Sequence, residues 1–137
     1  MSILKTKSDE NIDASNKLIK SKLFPSSVHC AYYASVQLML HILRSHFGKT
    51  ELQIRQEGTN GSKTFGGYHK WLQNFIFTEF ANLDSVDAAK FNSNIRTLSA
   101  VRVKADYSDQ TIIDVEALKA YDKSVATKKL LQKHFQI

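Results

Sequence analysis

Proline occurs once in this chain, as Pro25, and glycine only five times. Sheets closed into sandwiches or barrels need turn residues every ten positions or so, which a chain this poor in them cannot supply. Long helices joined by few turns need little of either, so the scarcity predicts an all-α fold. Cysteine is a singleton, Cys30, which excludes an internal disulfide and any CxxC metal site. Free cysteine is among the most buried residue types, and Cys30 is read as a small core residue. No apolar run reaches the roughly eighteen residues of a membrane span, and the stretch Met1 to Glu10 lacks the apolar centre of a signal peptide. No membrane and a cytoplasmic, reducing setting are the expectations.

What is present fits a single domain spanning residues 1–137, with an ordered part from about 9 to 135. Lysine and arginine number 19 against 13 acidic residues, a net charge of +6. That balance favours a polyanionic partner such as RNA, DNA or an acidic protein. The lysines are spread along the chain, however, and solvated helix faces account for them equally well.

Apolar spacing predicts an up-and-down bundle of four to five helices. The first runs from about Asp9 to Lys22. A second starts at Pro25, where a missing N–H is no loss, and reaches His46, closed by Gly48. Its apolar set covers more than one stripe, the mark of a central helix. Residues 49–64 are polar, and Glu57 to Ser62 is the segment richest in loop formers, so a mobile loop is expected there. A third helix carries Phe65, Tyr68, Leu72, Phe75, Ile76 and Phe80, and Trp71 reads as half-buried packing beside that stripe. A fourth, capped by Asp84 or Ser85, continues to Tyr107. The stretch Thr111 to Asp114 resembles a capping box opening the last helix.

Two knots stand out within these helices. Ala31-Tyr32-Tyr33-Ala34 sits in the second, and Arg102-Val103-Lys104-Ala105-Asp106-Tyr107 ends the fourth. Arg102 and Asp106 are four apart and emerge on one side of their helix, as an i,i+4 ion pair or as part of a site. Tyr32 and Tyr33 cannot share a face, so one is assigned to the core and the other to a groove or partner. Tyr68-His69-Lys70-Trp71 is the best local candidate for stacking on bases. His41 and His46 are five apart with no acidic residue at metal spacing, so no metal is expected; His134 suits the negative end of the last helix.

With these motifs in this order, the chain resembles the small stand-alone prokaryotic HEPN-domain proteins. In that family a helix bearing A-Y-Y-A precedes a helix opening near a histidine, here His69, and then one ending R-x-x-A-D-Y. The resemblance covers about residues 9 to 135. It implies a helical bundle, often a homodimer, linked to a nucleotidyltransferase partner in a toxin–antitoxin-like pair and needing no cofactor. It also implies that Tyr107 is a target for nucleotide transfer by such a partner, and that relatives include metal-independent ribonucleases.

Metal-free RNA cleavage needs a base, an acid and a cation where phosphate charge builds. The ribonucleases of the family resemble one another in an arginine followed four to six residues later by a histidine. Arg102 matches the arginine, but positions 106 to 108 are Asp, Tyr and Ser. An ionised Asp106 also offsets the charge of Arg102. The leading expectation is therefore a non-catalytic module binding a protein partner, nucleotide or RNA through Arg102, Asp106, Tyr107, His69, Tyr32 and Tyr33. The alternative is a ribonuclease using Arg102 with His69 or Tyr107.

Overall fold

The computed structural model describes residues 2–135 and 137, and among them are six helices and no strand. They are α1 (Leu4–Lys20), α2 (Phe24–Ser45), α3 (Glu51–Phe65), α4 (Tyr68–Leu83), α5 (Ser85–Tyr107) and α6 (Asp114–His134). The expected all-α bundle is present, with one helix beyond the four to five expected.

The additional helix is α3, which occupies the stretch 49–64 expected as a mobile loop. Its start is a capping box: the Thr50 hydroxyl accepts from Gln53 N–H at 3.1 Å, and the Gln53 side chain accepts from Thr50 N–H at 2.8 Å. The glycines that read as loop formers sit inside the helix, where a neighbour presses on the backbone. A Cβ on Gly61 would lie 2.0 Å from Trp71 Cδ1, and one on Gly58 would lie 2.3 Å from Tyr68 Cε2. They are glycine because two aromatic rings need the space.

α2 is the hub, packed against α1, α4, α5 and α6. Val28, Ala31, Tyr32, Leu38, Met39, Ile42 and Leu43 are all buried along it, the breadth expected of a central helix. Pro25 lies in its first turn, and Gly48, at φ 65°, ends it as Lys49 N–H returns to the Leu43 carbonyl at 3.0 Å. Cys30, expected in the core, is only half-buried, and burial pushes its thiol pKa up.

α1 begins at Leu4, five residues before the expected Asp9, and its buried residues are Ser8 and Ser15. The Ser8 hydroxyl donates to the Ala34 carbonyl at 2.6 Å, Ser15 to the Ser27 carbonyl at 2.9 Å, and Ser27 to the Ser15 carbonyl at 2.8 Å. These pairings run α1 antiparallel to α2. Hydroxyls meeting carbonyls in a buried interface satisfy these polar groups without apolar bulk.

Asp84 caps α5, accepting from the Val86 and Asp87 N–H groups at 3.0 Å each. α6 starts at Asp114 rather than at Thr111. Ile113 holds the cap position and has no side-chain acceptor, so only half a capping box forms: Glu116 accepts from Ile113 N–H at 3.2 Å. α6 closes the core with Ala117, Ala120 and Leu131, and Ser124 donates to the Ala31 carbonyl at 2.8 Å. Phe135 and Phe80 cross edge to face at 5.3 Å.

Candidate functional site

The third turn of α2, the first turn of α4 and the last turns of α5 converge on the guanidinium of Arg102. Its carbon lies 5.0 Å from the Tyr32 ring, 5.1 Å from Tyr107 and 5.6 Å from Tyr33, a three-sided aromatic cage. The terminal nitrogen Nη2 donates to the Tyr33 hydroxyl at 3.0 Å and to the Tyr107 hydroxyl at 3.2 Å. Burial alone would favour losing the charge, but the oxygens of Tyr33, Tyr107 and Tyr32 outweigh it, and the pKa of Arg102 is raised.

Asp106 Oδ2 lies 3.1 Å from Arg102 Nε, so the expected i,i+4 ion pair is present. The Nε–H nevertheless makes no directed hydrogen bond, and the pair is one of charge rather than of geometry. The same carboxylate oxygen lies 3.1 Å from His29 Nδ1. His29 was missed as a site residue, although it stands four residues before Tyr33 and its ring lies 4.6 Å from that tyrosine.

The two adjacent tyrosines divide as their spacing requires. Tyr32 is buried, 3% exposed, and Tyr33 is partly buried against the core. The Tyr32 hydroxyl lies 2.8 Å from His69 Nδ1 and accepts from Gln73 Nε2 at 3.3 Å. Ser99 Oγ is close enough to influence that hydroxyl but makes no directed bond. Burial pushes the Tyr32 pKa up, so its proton stays on near neutrality. Burial first, and the Arg102 charge second, push the His69 pKa below its ordinary value. His69 is therefore neutral at physiological pH. Where the Tyr32 hydroxyl donates to Nδ1, Nε2 carries the proton and offers a donor. Where Nδ1 donates to Tyr32, Nε2 keeps a lone pair and can act as a base.

Arg102, His69 and Tyr32 thus share one place, an open groove of about 640 Å³ between α4 and α5. Lys70, Gln73, Asn92, Arg96 and Ser99 complete its polar lining, which contains three cationic side chains and no carboxylate. Asn92, Arg96, Ser99 and Val103 recur at four, three and four residues, one face of α5, a spacing that was legible. Asn92 and Arg96 also wall an adjoining groove of about 470 Å³ running on past Phe77 and Ala81. Tyr33, Asp106 and Tyr107 lie behind Arg102 rather than in the groove lining. Trp71, expected as half-buried packing, is more deeply buried than that, 6% exposed, and packs under α3.

Among the described residues one cluster has metal-ligand chemistry, Asp84, Asp87 and His134, with ligand atoms within 4.8 Å of one another. Each already has work in the fold: Asp84 caps α5, and Asp87 Oδ2 accepts from Lys133 at 2.9 Å and lies 2.7 Å from His134 Nε2. With a lysine and a histidine already on its carboxylate, the cluster fits a clasp between α5 and α6 better than a cation. His134, expected to meet its helix terminus alone, makes a specific partner of Asp87. No family model, curated protein or solved structure matches this chain.

Proposed function

We propose that the chain is a HEPN-like helical module of a toxin–antitoxin or nucleotidyltransferase-linked system. In this reading it binds the phosphates of an RNA or nucleotide in the groove between α4 and α5. The observation that carries it is the groove lining, where Lys70, Arg96 and Arg102 meet with no carboxylate among them. Arg102 is partly neutralised by Asp106 behind it and tied to two tyrosine hydroxyls. Arg96 and Lys70, exposed and in no ion pair among the described residues, carry the phosphate contacts, while Arg102 and its cage hold the groove wall. Pairing of two copies and docking of a nucleotidyltransferase, with Tyr107 as its acceptor, belong to the same proposal. The Tyr107 side supports it by exposure, 71%.

Fluorescence anisotropy with a labelled oligoribonucleotide tests the reading. Affinity should fall steeply between about 50 and 200 mM salt, and Arg96→Ala should reduce the log–log salt slope by about one. Salt-independent binding, or an unchanged slope in Arg96→Ala, would remove the phosphate reading.

A second reading, a metal-independent ribonuclease, is favoured by one observation: His69, held by Tyr32, lines the same groove as Arg102. We expect no RNA cleavage above a mock preparation. Degradation abolished by His69→Ala would install the ribonuclease in place of the binding module.

A further inference from the structure

His41 lies on α2, 6% exposed, with its Nδ1 buried and without a hydrogen-bond partner. A neutral imidazole there merely leaves one lone pair unused. Protonation would place an N–H on that atom with nothing to accept it, and would bury a cation beside Lys5 of α1. Burial first, and Lys5 second, push the His41 pKa below its ordinary value. The charged ring is therefore tolerated only where it can reach water.

The antiparallel pairing of Ser8 with Ala34 and Ser15 with Ser27 carries the first turns of α1 towards residue 41. α1 lies along the length of α2 but buries no apolar side chain fully. Its buried residues are the two serines hydrogen-bonded to α2, and its further polar ties are the Asn11–Gln37 bond at 2.8 Å and the Asp9–Lys128 pair at 2.8 Å. Burial opposes ionisation of Asp9, but Lys128 and Lys5 hold its carboxyl below the ordinary range, so that pair persists in mild acid. Elements with few apolar contacts open at the least cost in free energy. Along α2 itself Arg44 is engaged with Glu51 of α3 at 3.0 Å, and among the described residues α4, α5 and α6 bring no charge that moves the ring.

We propose that α1 is an acid-released cover on α2, with His41 as the residue whose protonation opens it. The sign follows from linkage. His41 has a lower proton affinity when α1 is closed than when it is open, so closure is fully favoured above the ordinary histidine value. That preference is lost as pH falls towards the depressed value of the closed form. Opening bares the face of α2 that carries Ser27, Ala34 and His41.

Amide hydrogen exchange, converted to opening equilibria and followed against pH, tests this on the full chain. Below the ordinary histidine value the opening constant of residues 4–20 should rise about tenfold per pH unit, the slope of one proton, while α2 and α5 amides hold. His41→Gln should flatten that slope. The proposal is overturned if His41→Gln keeps it, or if α1 and α5 lose protection together. If His41→Gln does not fold, Lys5→Gln carries the test: removing the neighbouring charge must shrink the total pH-dependent loss of α1 protection, and an unchanged loss overturns the proposal.

Discussion

At the scale of single residues, Arg102 decides how the last turn of α5 sits. Tyr33 and Tyr107 give it the same chemistry, a ring face and a hydroxyl acceptor, but unequal burial. Tyr33 is partly buried against the core, whereas Tyr107 is 71% exposed. Tyr33→Phe keeps the ring and removes the acceptor for Nη2, at a cost of about 1 kcal/mol, a fall of roughly 4 °C in the thermal midpoint. Tyr107→Phe removes an acceptor that water replaces, at under about 0.5 kcal/mol. Thermal unfolding of the two variants compares them directly, and equal losses would mean that the cage does not hold Arg102 as described. The Arg102–Asp106 pair was legible, because an i,i+4 spacing fixes both side chains on one face. Which groups stood across from them was not: Gln73 of α4 meets Tyr32, and His29 of α2 meets Asp106, through helix crossings that no local spacing encodes.

At the scale of elements, α3 shows where sequence reading went astray. Gly58 and Gly61 read as loop formers, yet three residues place them on one helical face, and Thr50 with Gln53 spells the capping box in front of them. The missing information was the ring that each glycine faces. An exposed mid-helix Gly→Ala change ordinarily stabilises by about 1 kcal/mol. Gly61→Ala is expected to do the reverse, losing about 1–3 kcal/mol by overpacking, because Trp71 is buried and has nowhere to go. Urea unfolding gives the sign, and a stabilised Gly61→Ala would mean that α3 does not pack on Trp71. α2, by contrast, was readable end to end, since Pro25, the broad apolar set and Gly48 each act through the backbone of that one helix.

At the scale of the whole molecule, α5 and α6 are clasped at one end by Asp87, Lys133 and His134. Hydrogen bonds from His134 and then Lys133 hold the Asp87 carboxyl below its ordinary value. A depressed folded value contributes stability that is complete above the unfolded carboxylate value and is lost as pH falls through the folded one. The urea midpoint should therefore drop on acidification through that range. Asp87→Asn should flatten the acid limb while lowering the midpoint at neutral pH. An acid limb identical in Asp87→Asn would show that the clasp carries no proton linkage. None of this was visible beforehand, because the carboxylate and its partners are separated by 46 and 47 positions.

The bond from Ser124 to the Ala31 carbonyl spans 93 positions, joining the hub helix to the one that completes the core. Helical bundles commonly fold fast because most of their contacts are local, but this one must close a long loop before α6 is rewarded for docking. Assembly should accordingly pass its kinetic barrier with α6 still loose. Truncating Leu131 would then accelerate unfolding and leave the refolding rate nearly untouched.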